Sequence, residues 1–398
     1  MDLHHGRLLW QAAGNREIPL TPGVIADHYD VVIVGGGVSG ALCAHALAGE
    51  GLRVAVIDKG AVGSGSTLAS IGQLQYSSDI MLHELIAQIG QDRAVSFYKS
   101  CRNAIDELGH IADSLDFSCD FTRRNSLYYA SEQAHTDRLK KEFEALNTHG
   151  FQAEWWTEGR LKAHYPFFRP AALMTHHDAE VNPLRLTLGI LNKLSRKVDV
   201  FEHVKMTGLR DIPDGLEVQT SAGEFRTSHV ILATGYATVP YLNEPRLLRT
   251  RSYAIATEPV ADLSAWKDRV LIWETRRPYL YMRTTPEGRI LAGGQDEDKP
   301  DTPDSPALIA NRARHLLKEV QKLFPQLETR IAFAWGAVFG QSTDHLPFIG
   351  RHPTIERLYY LLGYGGNGTV YSMVGAQVLR DLIVQRPNPL AEIVRLDR

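Results

Sequence analysis

DVVIVGGGVSGALCAHALAGEGLRVAVID, residues 30–58, decides how this chain begins to fold. DVVIV (30–34) is a short run of β-branched apolar residues, the composition of a strand buried on both faces. Ser39 to Glu50 is rich in Ala and Leu and reads as a helix, and RVAVID (53–58) closes a βαβ unit. Gly35, Gly37 and Gly40 form GxGxxG directly between the first strand and the helix. Without Cβ atoms the backbone there can turn tightly, approach a pyrophosphate and pack helix on sheet. Val38 and Ser39 supply amides at the helix start, where an anion is attracted. Asp58 follows Gly40 by 18 residues at the end of the second strand, placed to accept hydrogen bonds from ribose hydroxyls, with Lys59 beside it. The motif predicts a dinucleotide half-site but does not by itself separate a flavin from a nicotinamide.

Outward from this unit the pattern alternates between two kinds of sheet. Residues 1–29 mix Gly, Pro and charge without period and read as an irregular arm on the surface of the first domain. Leu82, Leu85, Ile86 and Ile89 give 79–115 a helical period, followed by short strands near 117–130 and a helix near 131–149. Pro183 suits the first turn of a helix in EVNPLRLTLGILNKL, and the hairpin-like 200–227 leads into the apolar strand HVILATG. SYAIATEPV, VLIWET, YLYMRTT and RILAGG read as antiparallel strands. RLYYLLGYG and an amphipathic helix from about 369 to 384 return to alternating strand and helix. The fold class expected is α/β plus α+β: a discontinuous Rossmann-like domain (1–90, 175–240, 330–398) and an antiparallel-sheet substrate domain (91–174, 241–329).

Composition narrows the function. The chain's 398 residues are long enough for two domains, and 43 Lys plus Arg against 46 Asp plus Glu give a formal net charge of -3, which offers no field for nucleic acid. Cys43, Cys101 and Cys119 are odd in number and lack CxxC spacing, arguing against disulfides, zinc or iron–sulfur clusters and fitting a reducing cytoplasm. Neither a signal-peptide apolar core nor a run of about 18 apolar residues occurs, so no membrane span is expected.

A second GxGxxG, Gly363, Gly365 and Gly368, also lies between strand and helix, but only 30 residues follow it. That is too few for another dinucleotide unit. Its glycines either leave helix-start amides free to stabilise negative charge or serve only a tight packing turn.

Four islands in order, VVIVGGGVSG with VAVIDKG, GSGSTLASIGQ, VILATG, and TDHLPFIG followed by GYGGNGTVYS, make the chain resemble the glycine oxidase, sarcosine oxidase and D-amino-acid oxidase superfamily over nearly its whole length. The resemblance implies FAD, with contacts from Ser64, Ser66, Thr67, Gly72 and Gln73 near its phosphates and flavin. It places Ala233, Thr234 and Gly235 near the adenine side, Met206 at the adenine, and Gly365, Gly366, Asn367, Gly368 and Thr369 beside the flavin pyrimidine. Bare residue chemistry also allows Ser64 to Thr67 to be a simple capped turn. Some relatives attach flavin through a His where this chain has Ala69, others through a Cys where it has Ala337, so noncovalent FAD is expected.

The same resemblance makes the substrate a small amine or amino acid. Relatives that bind an α-carboxylate often use an Arg that aligns here with Phe339 in WGAVFGQSTD. In YLYMRTT, period-two alternation puts Tyr279, Tyr281 and Arg283 on one face. Arg283 is either a substitute carboxylate clamp or an ordinary ion-paired arginine, and Tyr281 and Tyr253 either line the substrate or belong to the core. Arg276 and Arg277 rank lower. His176 and His177 in MTHHDAE point to opposite faces and lack a spaced third ligand, so no metal site is expected, and His345 reads as shaping the turn before Pro347. The expected reaction is hydride transfer from the amine Cα to flavin, giving an imine that water hydrolyses, with O2 or another acceptor reoxidising the cofactor. The alternatives are a dehydrogenase feeding a quinone or protein acceptor, and a non-catalytic subunit of a heteromeric flavoprotein.

Overall fold

In the computed structural model, which describes residues 3–12, 25–237 and 246–398, strand Tyr29–Val34 lies inside an eight-stranded sheet. Its neighbours are Val54–Ile57 and then Val198–Phe201 on one side, and Gly223–Leu232 and then Leu358–Leu362 on the other, all parallel. Phe348–Arg351 closes that edge antiparallel, while Gly215–Thr220 and Met206–Ile212 extend Gly223–Leu232 as an antiparallel meander. Val31, Val32, Ile33 and all four residues of Val54–Ile57 are fully buried, which is why these strands carry no polar alternation. Helix Val38–Ala48 crosses between the first two strands and packs against helices Pro183–Lys193 and Gly368–Ile383. Enclosed on most sides, it needs no polar stripe. Asn182 Oδ1 accepts the Arg185 amide and caps the helix whose first turn holds Pro183, as its sequence predicts.

The second sheet has ten strands. Its path runs His4–Arg7, Ile331–Ser342, Leu247–Thr257, Ile290–Glu297, Leu280–Thr284, Leu271–Glu274, Thr122–Tyr129, Ala171–Glu180 and Gln73–Leu74, with Glu154–Thr157 also paired to Ala171–Glu180. Neighbours are antiparallel except Leu271–Glu274 with Thr122–Tyr129, which are parallel. Helix Pro306–Leu323 covers one face through Ile309, Ala313, Leu316, Val320 and Leu323, a stripe with three- and four-residue spacing. Each Leu or Ile so buried contributes about 1.5–3 kcal/mol. The opposite face turns toward the first sheet.

Three expectations change. The amino-terminal arm is not wholly irregular: His4–Arg7 is an edge strand on Ile331–Ser342, and Leu9–Ala12 is a short helix with Leu9 and Trp10 buried. The rest of the expected arm through residue 24, with 1–2, lies outside the described residues. The helical stretch 79–115 is two helices, Leu82–Ile89 and Gln91–Asp113, broken where Gly90 takes φ +87°. Sheet membership also cuts the chain elsewhere than at 90, 174 and 330, since Gln73–Leu74, Ala171–Glu180 and Ile331–Ser342 all belong to the second sheet. Among the described residues no helix is long and apolar enough to cross a membrane.

Candidate active site

A cavity of about 910 Å³ opens between the two sheets, at the upper end of the range for small-molecule sites, roughly 300–1,000 Å³. Gly35, Gly37, Val38, Ser39, Asp58 and Lys59 line it from the first βαβ unit. Met206, Ala233, Thr234 and Gly235 line it from the ends of neighbouring strands, and Ser64, Ser66, Thr67 and Gln73 from the loop that passes between the sheets. Gly365, Gly366, Asn367, Gly368 and Thr369 close it from the last turn before helix Gly368–Ile383. Residues separated by more than 300 positions therefore meet in one space.

Local chemistry explains how these loops hold their shape. Gly35 takes φ +113°, and a Cβ there would stand 2.3 Å from the Ala233 carbonyl oxygen. Gly40 does not line the cavity; it lets the helix close onto the strand, for a Cβ would meet Gly35 O at 1.9 Å. Asp58 accepts the Gly36 amide on Oδ2 at 2.7 Å and the Gly60 amide on Oδ1 at 2.8 Å, so this carboxylate also ties the glycine loop to the next turn. Thr67 Oγ1 accepts the Val38 amide at 3.0 Å, and Ser39 and Ser372 hydroxyls lie 2.8 Å apart. Gly72 is likewise outside the lining: its carbonyl accepts the Val181 amide and joins the loop to the second sheet.

The polar groups fit a phosphate-bearing dinucleotide. Gly37, which caps helix Val38–Ala48, and Asn367, which caps helix Gly368–Ile383, both give no side-chain hydrogen bond to the helix start. Two helix N-termini thus present backbone amides to the cavity. Asn367 instead donates from Nδ2 to Gln75 O at 2.8 Å, and Tyr236 donates to Gly365 O at 2.9 Å, fixing the turn. The Ser66 and Thr234 hydroxyls, both in the lining, are buried without a hydrogen-bond partner among the described residues. A buried hydroxyl left unmatched costs about 1–3 kcal/mol, so these two oxygens match a ligand rich in hydrogen-bonding groups.

The far end is built from the second sheet. Tyr281 lines it as expected, with Tyr279, Trp273, Ser252 and Asp296 from neighbouring strands and Asp79 from the loop after Gln73–Leu74. Gly293 stands opposite Tyr281 in register, and the space of its missing Cβ is filled by the Tyr281 ring. Trp273 stacks on Tyr128, with ring centroids 3.7 Å apart. Burial pushes the Asp296 carboxyl up to about 6, with Ser252 opposing the rise and Asp79 adding to it. Burial likewise raises the Tyr279 and Tyr281 hydroxyls, so both remain protonated donors.

The two substrate-side candidates Arg283 and Tyr253 are also displaced from the cavity. Arg283 does lie on the Tyr281 side, but one step along the strand carries it beneath the 71–73 backbone. There its guanidinium donates to Ile71 O (2.5 Å), Val181 O (2.9 Å) and Thr284 O (3.0 Å) and pairs with the buried Glu180. All three of its nitrogens are engaged in structure, beneath the 71–73 backbone and away from the cavity lining. Tyr253 faces the other side of its strand, in the core beneath helix Pro306–Leu323, and donates to Glu297 at 3.0 Å. Its neighbour Ser252 reaches the cavity instead. Asp79 and Asp296 went unmarked in the sequence because carboxylates in a loop and in the acidic run QDEDK carry no period. Phe339, Ala337 and Ala69, the positions where relatives carry Arg, Cys and His, all line the cavity. His176 pairs with Glu154 at 3.0 Å, His345 (φ +61°) occupies the turn before Pro347, and among the described residues no three His, Cys, Asp or Glu are grouped to hold a metal.

Comparison with known proteins agrees with this geometry. Residues 30–382 match the family described as FAD dependent oxidoreductase. The probable oxidoreductase OrdL of Haemophilus influenzae is 24% identical, covering 96% of this chain and 88% of that protein. Gamma-glutamylputrescine oxidoreductase of Escherichia coli is 25% identical, covering 95% and 89%. The crystal structure of glycine oxidase from Geobacillus kaustophilus superposes with a TM-score of 0.80 at 22% identity, covering 94% of this chain and 99% of that one. Matched from its first buried strand through its last long helix, the chain belongs to the FAD-dependent oxidoreductase family.

Proposed function

We propose that this protein oxidises the C–N bond of a small amine or amino acid, using noncovalently held FAD. The observation that carries the reading is a single cavity joining the glycine loop at 35–40 to an aromatic and acidic end at Tyr281 and Asp296. The amides of Gly37 and Ser39 with Ser66 and Thr67 would hold the pyrophosphate, Asp58 the ribose, Met206 and Ala233 to Gly235 the adenine side, and Gly365 to Thr369 the flavin ring. FAD, when bound, supplies the two-electron acceptor for a hydride leaving the substrate Cα. The chain's own part is to orient: Tyr279, Tyr281 and Trp273 wall the substrate end, and Ser252 and Asp296 offer it polar contacts. The resulting imine is hydrolysed by water. The parallel sheet would then serve mainly the cofactor and the antiparallel sheet mainly the substrate.

Anaerobic mixing of the purified yellow protein with a panel of primary amines, secondary amines and amino acids should bleach the flavin absorbance. Failure across the whole panel would sink the reading. Ala69 and Ala337 stand where an attaching side chain would be, so acid precipitation should release all flavin into the supernatant.

A further inference from the structure

Among the described residues, the basic side chains in the lining are His4, Lys59 and Lys205, all at the dinucleotide end, and no arginine lines it. His4 is committed to Ser64 O at 2.9 Å. At the other end the charged groups are the carboxylates Asp79 and Asp296, set among Tyr236, Tyr279, Tyr281 and Trp273. Asp296 Oδ1 is buried and accepts no hydrogen bond from the described residues. Asp79 lies against the last turn, its Oδ2 3.5 Å from where a Cβ on Gly366 would stand. Arg277 stands outside the lining, 3.5 Å from Asp79 Oδ1 and stacked over the Tyr279 ring at 4.5 Å, and its one charge is shared between two carboxylates, pairing with Asp79 and only partly opposing the rise at Asp296.

We propose that the substrate is a cationic amine with no carboxylate beside its reacting nitrogen, and that Asp296 is the group that recognises its positive charge. This deepens the C–N oxidation reading and rests on it. An ammonium group gains from a nearby carboxylate and from aromatic faces. An α-carboxylate would meet like charge and find no arginine fork to hold it. Here Phe339 stands where the resemblance aligns that fork, and Arg283, the first-ranked candidate substitute, is consumed by carbonyls at 71, 181 and 284.

Two ligands of matched shape test the idea without turnover. tert-Butylammonium and 2-aminoisobutyrate differ by one methyl replaced by a carboxylate, and neither has a hydrogen on the nitrogen-bearing carbon to lose. Titrated into FAD-loaded protein and followed by perturbation of the flavin spectrum or by calorimetry, tert-butylammonium should bind about tenfold or more tightly. Asp296→Asn should reduce that preference to about onefold, and Asp296→Glu should retain it. Equal or tighter binding of 2-aminoisobutyrate by the unaltered protein would overturn the proposal and make Arg277 a carboxylate-binding group. Since that comparison uses the natural sequence, it stands even where a variant fails to fold. The parent reading is judged separately: benzylamine and butylamine should bleach flavin faster than phenylglycine and norvaline. The reverse order sinks only the charge preference, whereas silence from every amine and every amino acid sinks the reaction.

Discussion

Asp178 shows what one buried carboxylate costs. It is fully buried on strand Ala171–Glu180, where Oδ1 accepts the Tyr76 amide and Oδ2 accepts the Thr175 hydroxyl, each at 3.1 Å. Burial pushes its carboxyl up to about 7 against these hydrogen bonds, well above its value in the unfolded chain. A raised folded-state value means the native protein binds the proton more tightly. Its stability contribution therefore falls as pH rises from the unfolded value near 4 to the folded value near 7, and stays low above that. Asn can keep the Tyr76 contact through its carbonyl and donate to the Thr175 oxygen while carrying no charge. Asp178→Asn should thus leave stability at pH 5 nearly unchanged and raise it at pH 8 by on the order of 1–3 kcal/mol. Urea midpoints at the two pH values measure this, and an equal loss at both would show that the carboxylate is needed ionised.

At the scale of elements, the loop from Ser64 to Gln73 joins the sheets and is pinned from both sides. Trp335 donates to Ala69 O at 2.9 Å, Trp10 to Ser70 O at 2.7 Å, Arg283 to Ile71 O at 2.5 Å, and Gln73 to Met282 O at 3.0 Å. Arg283→Met removes one of these ties and the charge facing Glu180, whose other partner is Arg124 at 3.0 Å. Breaking a buried pair from one side costs about 3–5 kcal/mol. The variant should lose thermal stability and FAD content together, while the Michaelis constant of the flavin-loaded remainder stays within about twofold. A stable, FAD-replete variant with a greatly raised constant would restore Arg283 as a substrate clamp. The βαβ unit, Asp58 and the antiparallel strands were legible because period and spacing belong to the local chain. Asp296 was not. Gly294 (φ +142°) and Gln295 (φ +60°) form a bulge where the register against Leu247–Thr257 slips, and this reverses the faces of the residues beyond it. Counting alternation straight through from Leu291 and Gly293 would send Asp296 into the core. The position of Arg283 was hidden for a different reason: alternation gave its side correctly, but its distance from the cavity depends on a loop more than 200 residues away in sequence.

For the molecule as a whole, the cavity is shared and so is part of the core. One buried cluster contains Val31 and Ile33 of the parallel sheet together with Tyr128, Leu173 and Trp273 of the other. Two sheets joined in this way should unfold in one cooperative step, because neither buries that cluster alone. A ligand that binds only the folded form and touches both sheets must then stabilise them equally. At 100 times its dissociation constant FAD would add about 2.7 kcal/mol, a shift of roughly 3 °C in melting temperature for a chain of this length unfolding as one unit. Calorimetry on protein stripped of FAD and then reconstituted should show a single endotherm that moves as a unit with added cofactor. Two endotherms, of which FAD shifts only one, would mean that the sheets fold independently and that the common cluster contributes little. A single endotherm indifferent to FAD would instead remove the glycine loop, Ser66 and Thr234 from cofactor binding.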